Sequence, residues 1–282
     1  MKKLLLLLLL ILIGCSEPEP LNYRLLEERD DIHYRKNTNE IYSGPVFNID
    51  GKSEGTLKKG KFHGPYKSYH KNEQLEVERT FNNGELDGPY KLYNDNGQLK
   101  EEGTYKDGIE DGLWKSYHKN GQLRKERTFN NGKRDGPYKT YRDNGQLIEE
   151  STYKDDKLDG HWKYYDKNGP IKRESIYKDG KVDGPYRLYH SNGQLKEEGT
   201  WKVGELDGPF KSYYDNGQLK KEGTWKVGEL GQDGPYKYYY KEGTWKVRIL
   251  RQDGPYKYYY DNGQLKEEET YKDGEFIDSK TY

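Results

Sequence analysis

Alanine is absent from this chain of 282 residues, cysteine and methionine occur once each, and no apolar run exceeds the ten residues Leu4 to Ile13. Without alanine, the best helix former, a helical bundle is disfavoured. A single cysteine leaves no intramolecular disulfide and no thiolate cage for a metal. Ten apolar residues fall short of the roughly 20 that a membrane-spanning helix needs. Net charge is missing too, because 49 basic residues balance 49 acidic ones. No global field therefore draws nucleic acid or an anionic surface to the chain.

What is abundant is aromatic: 29 Tyr, 5 Trp and 6 Phe. Such side chains suit half-buried pleated strands. Their regular spacing also separates this chain from a solvated polar tract, although 35% of its residues are charged.

The amino terminus reads as a separate object. Lys2-Lys3 precedes the apolar run, and Leu12-Ile13-Gly14-Cys15 follows it with a small residue before the cysteine. That is the pattern of a secretion signal, over residues 1–14. Leu-Ile-Gly-Cys also resembles the lipobox of bacterial lipoproteins, which implies cleavage before Cys15 and a lipid on its thiol. Ser16 rather than Asp after the cysteine implies, by the same resemblance, the outer membrane over the outer face of the cytoplasmic membrane. Residues 15–41 are read as the lipidated cysteine and a tether, stiff over Ser16 to Pro20, with a brief helix expected within Leu21 to Asp31.

From residue 42 to 282 the chain is an array. Gly64, Gly88, Gly112, Gly136, Gly160, Gly184 and Gly208 recur every 24 residues and open variants of one phrase, as do Gly44, Gly234 and Gly254. A period of this length marks stacked units, none of which buries a core alone. With each unit from Gly64 onward counted from its glycine as zero, offset 2 is aromatic and offset 3 basic, and outside the Gly234 copy offset 14 is acidic and offset 17 aromatic. Offset 5 is tyrosine: Tyr69, Tyr93, Tyr117, Tyr141, Tyr165, Tyr189, Tyr213, Tyr239 and Tyr259. Asn-Gly at offsets 8 and 9 predicts a hairpin with a two-residue type I′ loop. That register sets Lys139 opposite Glu150 and the ring at offset 2 opposite the frequent glycine at offset 15, such as Gly199.

Alternation then assigns offsets 2, 11 and 17 to an apolar face, and Lys 3, Tyr 5, Lys 12 and Glu 14 to a charged face with a tyrosine row. Asp-Gly-Pro is read as a strand start, where proline's missing donor does least harm. The fold class expected is all-β, an elongated antiparallel repeat sheet of stacked two-stranded hairpins forming a twisted open ribbon. The copy at Gly234 lacks its turn residues, because Tyr240 runs straight into Lys241. A distorted or unpaired hairpin is therefore expected near Tyr238 to Gly243.

The phrase Asp-Gly-Pro-Tyr-Lys-x-Tyr-x-x-Asn-Gly-Gln-Leu-Lys-x-Glu-Gly-x-Tyr-x-x-Gly resembles the MORN-variant repeat, a bacterial relative of the membrane occupation and recognition nexus repeat, over about Gly44 to Tyr282. The resemblance implies stacked antiparallel hairpins and little about ligand. Some bacterial chains of this kind carry a YwqK-type antitoxin label, and others are lipoproteins.

Chemistry is sparse. His70, His118 and His190 share offset 6, but members two units apart lie roughly 19 Å from each other, so no ion is shared and each ring is read as solvated. The Asp-rich turns lack calcium-loop spacing, and the carboxylates face basic partners rather than one another. No cofactor, metal, catalytic residue or nucleic-acid partner is expected. The reading is a lipid-anchored cell-envelope protein, held to the membrane through Cys15, whose repeat sheet is a non-enzymatic platform for a protein or glycan partner. The tyrosine row is its candidate surface. The alternative is an antitoxin-like protein that binds and neutralises another protein.

Overall fold

Among the described residues, strands follow one another with no α-helix between them. The computed structural model describes residues 18–48, 51–228, 236–241 and 244–282, with the backbone alone for 227–228, 236–241 and 244–251. The signal reading at 1–14 and Cys15 lie outside the described residues. The chain divides into two compact units, Met1–Gly97 and Gln98–Tyr282.

In the first unit, Leu21–Asn22 runs parallel to Gly44–Phe47, which pairs antiparallel with Ser53–Lys58. Hairpins continue through Gly64–Tyr69, Leu75–Asn82 and Glu85–Tyr93. The helix expected within Leu21 to Asp31 does not form. A three-residue 3-10 turn at Tyr23–Leu25 leads instead into a hairpin, Leu26–Arg29 against Ile32–Arg35. Asp30 and Asp31 close it with φ of 52° and 58°, a conformation Asp tolerates and a helix excludes. Leu26, Tyr42, Val46 and Leu57 are buried together, with Leu21 and Phe62 against them.

The second unit is a run of antiparallel hairpins, each strand paired with the strands next to it in the array. Among its described residues, Glu275–Thr281 pairs with Leu265–Lys272 alone, so the unit's sheet is open at that edge. Lys139 faces Glu150, Tyr138 faces Ser151 and Gly136 faces Tyr153, as the sequence register requires. The all-β architecture and its 24-residue hairpin repeat are thus present along the array.

The turns are exchanged relative to expectation. Within a repeat, Arg142 N–H donates to the Gln146 carbonyl and Gly145 N–H to the Arg142 carbonyl, which is a three-residue loop. Gly145 has φ of 84°, whereas Asn144 is not in the left-handed region. The odd residue is absorbed by a bulge: Tyr141 pairs with Leu147 and Thr140 with Glu149, leaving Ile148 extra. The same register carries Leu147 opposite Tyr141, so offset 11 shares the tyrosine face rather than the apolar one. The type I′ loops join one repeat to the next. Asp155-Asp156 and Asp179-Gly180 have positive φ at both positions, and Lys154 pairs directly with Lys157.

Asp-Gly-Pro opens a strand in the copies at Gly208 and Gly254, but at Gly88, Gly136 and Gly184 it is not a strand start. Lys133–Tyr141 runs through it unbroken, and residues 135–137 oppose Thr128 as a bulge between Arg127↔Tyr138 and Phe129↔Arg134. Gly136 takes φ of 122° there, and Pro137 occupies a place where the ladder asks for no donor.

The Gly234 copy leaves the array. Leu219–Gly228 pairs with Gly254–Tyr259 through Glu222↔Lys257, and the two strands described between them, Tyr236–Lys241 and Thr244–Gln252, form an outgrowth. Tyr236–Lys241 pairs in regular register with Thr244–Gln252, whose far end pairs with residues 225–228. The distortion expected between Tyr238 and Lys241 is absent; Glu242 and Gly243 lie outside the described residues. Two near-identical strands compete for one slot, and the one followed by an intact turn, Gly254–Tyr259, fills it.

Candidate interaction face

One face of the sheet is built by repetition of three side chains. Each described tyrosine at offset 5 donates its hydroxyl to a glutamate of the hairpin before it, at offset 14 in all but the shorter Gly44 copy: Tyr69 to Glu54, Tyr93 to Glu78, Tyr117 to Glu102, Tyr141 to Glu126, Tyr165 to Glu150, Tyr189 to Glu174, Tyr213 to Glu198 and Tyr259 to Glu222. All eight bonds measure between 2.6 and 3.0 Å. Tyr259 reaches Glu222 because the Gly234 copy has left the array; the side chain of Tyr239 lies outside the described residues. The basic residue at offset 3 closes the triplet, with Lys163 at 3.2 Å from Glu150, Arg187 at 3.2 Å from Glu174 and 3.5 Å from Glu198, and Lys211 at 3.8 Å from Glu222. Such half-exposed ion pairs contribute little stability, but they fix the register.

The electrostatics follow from this geometry. Burial, and then the carboxylate that accepts its proton, push the phenols of Tyr141, Tyr165, Tyr189, Tyr213 and Tyr259 up to about 12. Burial works to raise the Glu150 carboxyl, but the Tyr165 hydroxyl and the Lys163 ammonium outweigh it and hold the group below its ordinary range. Glu174 is held down in the same way by Tyr189 and Arg187. The row is a chain of neutral phenols, ionised carboxylates and cations, with every hydroxyl committed to an acceptor.

The opposite face carries the rings of offsets 2 and 17. Trp114 stands edge-on to Tyr105 at 5.1 Å, Tyr138 meets Tyr153 at 5.3 Å and Phe210 meets Trp225 at 5.5 Å. Trp114 and Tyr256 are fully buried. Long cations complete the cover: Arg173 lies over Trp162 and Lys221 over Tyr256. The facing glycines make room for these rings, since a Cβ on Gly103 would stand 2.2 Å from Trp114 and one on Gly199 2.8 Å from Tyr186.

His70, His118 and His190 are half-exposed, but their rings are not free in solvent. Their Nε2 atoms lie 3.1, 2.9 and 3.0 Å from the carbonyl oxygens of Tyr93, Tyr141 and Tyr213. A carbonyl only accepts, so the ring donates there, and each histidine ties one repeat to the next. The asparagine of the first turn does the same, with Asn72 and Asn192 donating to the carbonyls of Asp95 and Asp215. The signal for both was their fixed place in the 24-residue period. Among the described residues no three metal-ligating side chains converge.

A family model described as MORN repeat variant matches residues 62–83, 86–107, 110–131, 134–155, 158–179, 182–202, 206–226 and 252–273, which together make up more than half of the chain. The stretch it skips, 227–251, contains the outgrowth. No curated protein matches the chain. Similar solved structures include the crystal structure of TcdB2-TccC3-TEV, with 13% identity over 86% of this chain and 18% of that chain and a TM-score of 0.21. Another is TcdB2-TccC3, with 13% identity over 78% of this chain and 17% of that one and a TM-score of 0.19. This chain spans less than a fifth of the length of either.

Proposed function

Because the chain belongs to the MORN repeat variant family, we propose that it is a lipid-anchored protein of the cell envelope whose repeat sheet is a non-enzymatic interaction platform for a protein or glycan partner. The observation that carries this reading is the tyrosine face. Eight copies of one Tyr–Glu bond, with a basic residue beside each, present the same chemistry at each step of the array. Rings held at one angle by a committed hydroxyl lose little entropy on contact, which favours their use in binding. The anchor rests on Leu12-Ile13-Gly14-Cys15, and Ser16 favours the outer membrane.

Two experiments test the two halves. Fractionation of cells carrying the wild type or Cys15→Ala is expected to place the wild type with membranes and to release the variant. A wild type found soluble in the cytoplasm overturns the anchor and favours the antitoxin-like alternative. Tyr141→Ala/Tyr165→Ala/Tyr189→Ala is expected to lose cross-linked partners from intact envelopes while its circular dichroism spectrum stays that of the wild type. Unchanged cross-linking by the folded variant removes the tyrosine face from the proposal.

A further inference from the structure

The ring-bearing face holds a second row, independent of the tyrosine face. Offset 13 in six successive repeats is Glu101, Lys125, Glu149, Arg173, Glu197 and Lys221, a strict alternation of sign. Five of the six meet a ring of that face directly. Trp162 Nε1 donates to Glu149 at 2.8 Å and the Tyr186 hydroxyl to Glu197 at 2.7 Å, while Lys125, Arg173 and Lys221 lie 5.6, 5.5 and 5.2 Å from the rings of Tyr138, Trp162 and Tyr256. Glu101 is paired with Arg127 on the same face.

The three cations of the row form no ion pair among the described residues, and the Nε of Arg173 is buried without a hydrogen-bond partner. Burial lowers Lys125 and Lys221 from the ordinary lysine range. Three cations are thus partly desolvated against rings, while carboxylates with lone pairs to spare stand one repeat away, roughly 10 Å along the sheet. An alternating row with an even number of members is complementary to itself when turned end for end. A two-fold axis between the repeats of Glu149 and Arg173 sets Glu149 against Arg173, Lys125 against Glu197 and Glu101 against Lys221 of a second copy, with no like charges facing.

We propose that this face pairs with the same face of a second copy of the chain, antiparallel about that two-fold axis. The contact is isologous, as closed dimers are. Twisted sheets that pack face to face diverge away from the point of crossing, so the central residues Lys125, Glu149, Arg173 and Glu197 carry it. Glu267 continues the alternation beyond the outgrowth that follows residue 228, outside the uninterrupted row.

The test is the mass in solution of the full chain carrying Cys15→Ala, so that no lipid contributes to association. A dimer is expected, weakening as salt rises. Arg173→Glu puts like charges together at both symmetry-related central positions and is expected to weaken the dimer on the order of a hundredfold. Adding Glu149→Arg to that variant restores opposite signs and is expected to restore the dimer. If Arg173→Glu fails to fold by circular dichroism, Arg173→Gln serves in its place, with about tenfold weaker association expected. A monomeric unmodified chain overturns the proposal and leaves the alternation as a device within one sheet. So does a dimer indifferent to salt and to Arg173, or a folded double variant that stays monomeric.

Discussion

Two kinds of glycine separate at the residue scale. Gly103 has an ordinary backbone and fails to accept a Cβ because the Trp114 ring is there, whereas Gly108 has open space around it and φ of 78°. Gly103→Ala is expected to cost about 1–3 kcal/mol through overpacking. Gly108→Ala is expected to cost about 1–2 kcal/mol through its backbone alone. Thermal melts distinguish the causes: combining Gly103→Ala with Trp114→Leu should give less than the sum of the two losses, while Trp114→Leu should add to Gly108→Ala without coupling. The facing of Tyr186 and Gly199 is legible in the repeat, because period-two alternation and a fixed register determine it; that of Gly103 and Trp114, which belongs to the next repeat, is not.

The tyrosines give a second prediction at this scale. A phenol raised in the folded chain contributes stability that is whole below the ordinary tyrosine range and is lost as pH rises through the folded value. Absorbance of phenolate should therefore show a class of tyrosines titrating near 12, Tyr141, Tyr165 and Tyr189 among them, and unfolding should begin across the interval above about 10. The carboxylates run the other way. Glu150 and Glu174 are depressed in the fold, so their contribution is present above the unfolded glutamate range and fades as pH falls through their folded values. Tyr165→Phe/Tyr189→Phe should move the acid midpoint of unfolding upward.

At the scale of the element, the hairpins were readable and their turns were not. Asn-Gly satisfies a two-residue loop, where both residues need positive φ, and also a three-residue loop, where glycine alone needs it. Only the bulge at residues such as Ile148 decides between them, and a bulge leaves no mark in composition. The I′ positions were visible as Asp-Gly and Asn-Gly but were given no turn type. Val203 is the misfit among them, a β-branched residue at φ of 51° beside Gly204. Val203→Asn is expected to raise stability by about 1 kcal/mol, read as an increase in the melting temperature. The amino-terminal hairpin was missed for a related reason: Leu21 to Asp31 has helix-compatible spacing, and the paired aspartates at 30 and 31 that turn the chain resemble ordinary surface charge.

On the scale of the whole molecule, the tandem duplication is the lesson. Residues 241–260 repeat 221–240 with substitutions confined to Arg248, Ile249 and Arg251, so sequence offers two strands for one place. The pairing Glu222↔Lys257 already joins the flanking hairpins without the extra copy. Excising residues 232–251 should therefore leave the circular dichroism spectrum unchanged and alter stability by under about 1 kcal/mol, a shift of ~2–4 °C at most. A collapse of the melting transition would show that the outgrowth supports its neighbours. The platform face, legible as a row of tyrosines, could not be seen in the sequence as a row of bonded tyrosines, because the acceptor of each hydroxyl sits in a neighbouring hairpin, 15 residues earlier for most and 37 earlier for Tyr259.

Among the described residues Glu275–Thr281 is bonded along one side only, to Leu265–Lys272, and each strand behind it in the second unit is tied to its immediate neighbours. Tension on that end of the chain would load a single ladder at a time, so the sheet would unzip rather than shear. A force–extension trace should then climb in small steps, each releasing one 24-residue repeat, or roughly 80 Å of contour, apart from one longer step where the extra copy lies between Leu219–Gly228 and Gly254–Tyr259.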